Sequence, residues 1–144
     1  QGGIIDLTCG MTGSAIPVPQ AVKQALDAGV PLERLTLSSD GNGSMPKFNE
    51  NNELIGLTAA APRYLYEEML SIVKAGVLPF DKALQLITCN VADALKLEDK
   101  GRIAVGKDAD LIVWNDDLTL NKVFARGRLM VDEGQAVVKG TFEN

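Results

Sequence analysis

Two short, β-rich and nearly continuous apolar runs stand near the start of the chain. Gly3–Thr8 reads Gly-Ile-Ile-Asp-Leu-Thr, with Asp6 as its polar interruption, and the second run is Arg34–Ser39. Runs of this length predict buried strands. Between them, Val18, Val22, Ala25 and Leu26 recur at helical spacing within Pro17–Ala28. Gly29 is placed to end that helix, with Pro31 just beyond it. Strand, loop (Cys9–Ser14, with Gly10 and Gly13), helix and strand make a βαβ unit, which implies two parallel, buried strands.

The pattern then lapses. Asp40–Ala61 contains four asparagines and three glycines and shows little periodicity, so it predicts a long irregular connection. Pro62 opens a helix striped by Leu65, Met69, Ile72 and Val73 and ended by Gly76. Asp81 is placed to cap the next helix, which carries Leu84 and Ile87. Thr88 or Asn90 is placed to cap a further turn or two with Val91 and Leu95. After Leu97 the chain reads as short strands: Gly101–Val105, Ala109–Trp114, Val123–Arg126, Leu129–Val131 and Gln135–Val138, with turns at Gly127 and Gly134. The expected division is therefore an α/β part over 1–97 and a small β part over 98–144, with the boundary near Leu97–Gly101.

Composition narrows the function classes. The formal charge of −5 argues against a nucleic-acid partner, which needs clustered Lys and Arg. No run approaches the ~20 apolar residues of a membrane span. The start, Gln-Gly-Gly-Ile-Ile-Asp, lacks both the features of a signal peptide and an initiator Met, so the chain is expected to be part of a longer one. Cys9 and Cys89 have no CxxC partner and read as reduced thiols of a cytoplasmic protein. The sequence has no histidine, which excludes a Ser-His-Asp triad, a Cys-His pair or a histidine zinc site built within it. Metal or general-base chemistry must rest on carboxylates or on residues outside these 144.

Leu35–Ser44 (Leu-Thr-Leu-Ser-Ser-Asp-Gly-Asn-Gly-Ser) is the stretch where such chemistry has a place. The strand stops at Asp40, and Gly41, Asn42 and Gly43 turn the backbone. Four readings compete. A type I′ hairpin turn needs a good strand beyond it, and Met45-Pro46-Lys47 is a poor one. A calcium loop starting at Asp40 wants Gly and Glu where Met45 and Asn51 stand. A phosphate cradle lacks the following Lys. The fourth reading is a carboxylate at the C-terminal end of a barrel strand, acting as metal ligand or base. Elsewhere, Asp108 and Asp110 read as brackets for the strand at 111–114, and Asp6 reads as a solvated or hydrogen-bonded strand residue. Arg63, Tyr64 and Tyr66 read as packing and surface residues at a helix start.

Thr88-Cys-Asn-Val-Ala-Asp-Ala-Leu-Lys-Leu97, with Gly101–Trp114 and the strands through Gly127 and Gly134, resembles the C-terminal end of the amidohydrolase superfamily. Leu35–Ser44, Gly3–Thr8 and the closing Gly127–Glu143 stretch resemble the isoaspartyl (β-aspartyl) dipeptidase family within it. The resemblance implies an α/β fold: the last two strands and helices of a (β/α)8 barrel over 1–97, and strands of a small β-sandwich over 98–144. Gly3–Thr8 would be the seventh barrel strand and Arg34–Ser39 the eighth. Asp40 matches the family aspartate that binds a metal and shuttles the proton, and Ser44 matches a serine that contacts the dipeptide.

The resemblance further implies a β-aspartyl dipeptide substrate and a homo-oligomer. It also implies two zinc ions held with a carboxylated lysine and histidines that would lie upstream of Gln1. This chain alone is then expected to bind no zinc pair and to be inactive. Two barrel strands alone would leave sheet edges open. Association with another chain, or cover by the helices of 62–97, is expected there.

Overall fold

The computed structural model describes residues 2–11 and 16–140. Gly13, Ser14 and the Thr141–Glu143 part of the closing stretch lie outside the described residues. The chain divides into two compact units, Gln1–Leu95 and Lys96–Asn144.

In the first unit, strand β1 (Ile5–Thr8) pairs in parallel with β2 (Leu35–Ser38), Ile5 opposite Leu35 and Thr8 opposite Ser38. Helix α1 (Val18–Asp27) connects them. It buries Val18 and Val22, and it ends as Gly29 predicts. Gly29 takes φ +83°, its N–H donates to Leu26 O at 2.9 Å, and Val30 N–H donates to Ala25 O at 3.0 Å, a Schellman closure. Helix α2 (Tyr64–Lys74) closes in the same way at Gly76, with Val77 N–H on Ile72 O. Cys9, Val22, Leu35, Met69, Ile72, Ala83 and Leu86 form the fully buried centre.

Only one of the two parallel strands is buried. Leu35, Thr36 and Leu37 are buried on β2, while Ile5 and Asp6 on β1 are exposed, because β1 has β2 as its single strand partner among the described residues. The other edge of β2 is covered by helices. Leu37 N–H donates to Leu86 O at 3.1 Å, just past α3 (Phe80–Gln85). The buried Asn90, in α4 (Cys89–Ala94), donates its amide to Leu35 O at 2.9 Å and to Leu32 O at 2.8 Å. Asn90 is thus a strap on the sheet edge rather than a helix cap, and Thr88 occupies the cap position with its hydroxyl donating back to Leu84 O. Asp81 likewise lies inside the first turn of α3, and Pro79 holds the cap position.

The connection after Asp40 is not irregular. It contains a hairpin, β3 (Ser44–Phe48) antiparallel to β4 (Leu54–Ala59), with Met45-Pro46-Lys47 as strand after all. The turn that makes it lies at 49–53. Asn49 Oδ1 accepts the N–H groups of Asn51 and Glu53, both at 2.9 Å, and Asn52 takes φ +60°. Pro46 interrupts the apolar alternation that marks strands in sequence, while the asparagine-built turn carries the register.

The second unit is an antiparallel meander in the order β5 (Leu111–Trp114), β6 (Leu120–Ala125), β7 (Arg128–Asp132) and β8 (Gln135–Ala136). Two-residue turns of paired left-handed residues join the last three: Arg126 and Gly127, then Glu133 and Gly134. Gly101–Val105 forms no strand. Asp108 and Asp110 serve structure: both pair with Lys100, and Arg126 donates from Nε to Asp108 at 3.1 Å and from its backbone N–H to Asp110 at 2.7 Å. The Lys100 ammonium first, and then the hydrogen bonds from Arg126, hold both carboxyls below the usual carboxylate range. No helix among the described residues is long and apolar enough to cross a membrane.

Candidate active site

Alternation along a strand sends successive side chains to opposite faces. In β1 and β2 it puts Leu7, Leu35 and Leu37 on the core side and Asp6, Thr8, Thr36 and Ser38 on the other. The core side is apolar and packed. The opposite side is a row of carboxylate and hydroxyl groups, and it leads to Asp40.

Asp40 lies two residues past β2, exposed, in the left-handed region at φ +47°. Few residues other than glycine accept that conformation, and aspartate is among those that do. The turn behind it is tightly held. Gly43 N–H donates to Asp40 O at 2.7 Å, and Asn42 takes φ +65°. Asn42 N–H donates to Ala60 O at 2.9 Å, and Ala60 N–H donates to Gly43 O at 2.8 Å. A Cβ on Gly43 would sit 2.8 Å from Asp40 O, so glycine is required for the close approach. Ser44 opens β3 opposite Ala59 and is exposed. Asp40 and Ser44 therefore bracket one turn that is stitched to the end of β4.

Behind Asp40 runs a hydrogen-bonded row whose members look like ordinary strand residues in the sequence. Thr36 Oγ1 donates to Asp6 Oδ1 at 2.6 Å, and Ser38 Oγ donates to Asp6 Oδ2 at 2.6 Å. Ser38 Oγ also lies 3.5 Å from Asp40 Oδ1. The signal was present as a polar alternation, Asp6-x-Thr8 and Thr36-x-Ser38, inside otherwise apolar strands. Cys9 follows β1, fully buried, its N–H on Ser38 O at 2.7 Å. Burial first, then the charges of Glu68, Asp6 and Asp40, push its thiol up to about 12, so it is no nucleophile at neutral pH. Tyr64, at the start of α2, packs its ring against Gly10, and Arg63 pairs with Glu67 at 3.4 Å, so both do structural work.

A carboxylate on a strand's C-terminal end, in a turn of fixed shape, with hydroxyls beneath it, suits proton transfer or metal ligation at the mouth of a barrel. The sequence profile of the Amidohydrolase family matches residues 17–134. The chain belongs to the amidohydrolase family.

The chain is similar to three proteins of different activity. The crystal structure of the β-aspartyl dipeptidase of Fervidobacterium islandicum AW-1, in complex with a β-Asp-Leu dipeptide, superposes with a TM-score of 0.81 at 31% identity, over 97% of this chain and 36% of that one. The imidazolonepropionase of Anaeromyxobacter sp. (strain K) is 34% identical over 112 residues, 78% of this chain and 22% of that protein. Adenine deaminase 1 of Carboxydothermus hydrogenoformans is 28% identical over 104 residues, 71% of this chain and 17% of that protein. The chain thus spans about a third of the dipeptidase and less of the other two relatives. Its fold is that of the C-terminal part of a (β/α)8 amidohydrolase barrel, mixed helix and sheet.

Amidohydrolases generally use metal ions. Among the described residues no three His, Cys, Asp or Glu side chains converge as a metal cluster. Asp40 offers one carboxylate, so these residues by themselves do not fit a metal pair.

Proposed function

We propose that this chain carries the proton-shuttling corner of a β-aspartyl (isoaspartyl) dipeptidase, which hydrolyses the isopeptide bond of β-aspartyl dipeptides left by the breakdown of damaged proteins. The observation that carries the reading is the likeness to the dipeptide-bound dipeptidase over 97% of the chain, with Asp40 held at the strand end. Hydrolysis of an amide requires that a proton be taken from water as it attacks and given to the leaving amine. Asp40, exposed and on a rigid turn, does both through its carboxylate oxygens. Ser44, on the far side of the same turn, offers a hydroxyl that donates to or accepts from the bound dipeptide.

Two zinc ions belong to the same proposal, with their remaining ligands outside these 144 residues. Asp40 would be this chain's ligand to such a pair, which would supply a hydroxide near neutral pH and polarise the scissile carbonyl. The residues here contribute a single ligand, and the isolated chain should not turn over substrate. A reducing, cytoplasmic setting is supported by two unpaired cysteines. Assembly of several copies is supported by the exposed apolar side chains Leu54, Ile55 and Leu57 on β4.

The test is Asp40→Asn in a protein that joins these residues to a whole barrel. Asparagine also accepts the left-handed backbone, so the change removes charge and basicity while keeping the turn. Turnover of β-Asp-Leu should fall by about 10²–10⁴-fold or more, with thermal stability retained. Near-wild-type kcat would sink the assignment. The similarity to an adenine deaminase and an imidazolonepropionase motivates a second reading, a deaminase or related cyclic-amide hydrolase. Assays on adenine and on imidazolonepropionate beside β-aspartyl dipeptides discriminate, and preference for either ring substrate would replace the dipeptidase reading.

A further inference from the structure

We infer that Asp6 is a positioning residue for Asp40, acting through the Ser38 hydroxyl; the inference rests on the reading of Asp40 as the proton shuttle. A serine hydroxyl carries one hydrogen. Ser38 Oγ lies 2.6 Å from Asp6 Oδ2 and 3.5 Å from Asp40 Oδ1. The first is a short, charge-assisted bond, and the second is at the outer limit of hydrogen bonding. The hydrogen therefore belongs to Asp6, and Ser38 meets Asp40 with its lone pairs.

Two consequences follow for the shuttle. Asp40 Oδ1 receives no donated hydrogen from Ser38, so its lone pairs are left for the proton of the attacking water. The Ser38 oxygen, its own hydrogen fixed, stands where it can accept a hydrogen bond while Asp40 carries that proton. Asp6 also binds Thr36 Oγ1 at 2.6 Å, so both its oxygens are engaged and its carboxylate cannot swing away from Ser38.

A purely structural role for Asp6 explains less. The two strands are already joined by their backbone ladder in register, including Cys9 N–H on Ser38 O. Asp6 lies on the face opposite the packed core, and one of its oxygens accepts from the buried Thr36 hydroxyl. Serving Thr36 takes one carboxylate oxygen, and the second is the one that holds the Ser38 hydrogen away from Asp40.

The test uses the whole protein, with β-Asp-Leu as substrate. Asp6→Asn keeps size and keeps an oxygen for Thr36, but its amide donates to Ser38 and turns the serine hydrogen towards Asp40. Expected is a fall in kcat of about 10–100-fold, as for other groups that act through a neighbour, with KM unchanged. Ser38→Ala removes the intermediary. It should lower kcat alone by a similar factor, and Asp6→Asn added to Ser38→Ala should cost nothing further.

Wild-type kcat in Asp6→Asn overturns the inference, as does a full additional loss when the two changes are combined. Should Asp6→Asn not fold, Ser38→Ala decides: an unchanged kcat there overturns it equally. An inactive Asp40→Asn beside a fully active Asp6→Asn defeats this inference and leaves the dipeptidase reading standing. An active Asp40→Asn defeats both.

Discussion

Gly10→Ala probes the joint between the site and the core. Gly10 follows Cys9 at the end of β1, the end at which Asp40 leaves β2, and takes φ +75°. A Cβ there would lie 2.3 Å from Tyr64 Cδ2, 2.7 Å from Cγ and 2.8 Å from Cε2, so the ring must move. Two costs combine. The left-handed backbone costs alanine about 1–2 kcal/mol, and forcing a packed side chain from its place costs about 1–3 kcal/mol. Gly29 supplies the control. It is left-handed too, at φ +83°, but nothing lies within 4 Å of its Cβ position. Gly29→Ala should therefore show the backbone cost alone, about 1–2 kcal/mol, and Gly10→Ala about 2–5 kcal/mol.

Urea denaturation followed by circular dichroism reads both variants. Adding Tyr64→Ala to Gly10→Ala should bring the Gly10 increment down to that of Gly29, because the clash is gone while the backbone strain remains. Equal costs for Gly10→Ala and Gly29→Ala would refute the argument. So would a Gly10 increment that survives removal of the ring.

Two further outcomes follow from the core and from the buried thiol. Asn90→Ala leaves the carbonyls of Leu32 and Leu35 without their amide donor and should destabilise by about 2–4 kcal/mol, at roughly 1–2 kcal/mol for each bond lost in a buried place. A cost within the scatter of surface substitutions in the same denaturation assay would show that the edge of β2 needs no strap. Cys9, pushed up to about 12, should resist alkylation at neutral pH while the half-buried Cys89 reacts, as mass spectrometry of the labelled chain would show. The folded thiol's value is raised, so the stability it supports is full below the ordinary thiol range and is lost as pH rises from about 9 towards 12. Cys9→Ala should flatten that alkaline loss, and an unchanged alkaline profile would refute it.

The two Schellman closures were legible because a glycine after an apolar stripe has one cheap use, the left-handed residue that ends a helix. The meander of the second unit was legible because Gly127 and Gly134 supply left-handed residues for two-residue hairpin turns. The hairpin at 44–59 was not. Pro46 and the exposed residues of β4 break the alternation that marks a strand, and the turn depends on a side-chain bond from Asn49 that composition does not reveal. Asn90 misled because the residue types that cap helices also bond distant carbonyls, and the partners here lie 55 and 58 positions away in sequence. Asp40 could be picked out as a carboxylate at a strand end. Its neighbour Ser38, and Asp6 behind that, could not be joined to it before the strands were set side by side.

By itself the sequence determined the local matters: where helices stop, that the two apolar runs near the start are strands, which chemistry the missing histidines exclude, and that Asp40 follows an apolar strand at a tight turn. Each of these depends on residues a few positions apart, within reach of backbone sterics and side-chain periodicity. Only the tertiary structure decided that Thr8 lies opposite Ser38, that Asp6 thereby holds the Ser38 hydrogen, and that Asn90 closes the edge of β2. Those contacts cross about 30 to 58 positions of chain. Their geometry follows from parallel register and core packing, which no short window of residues contains.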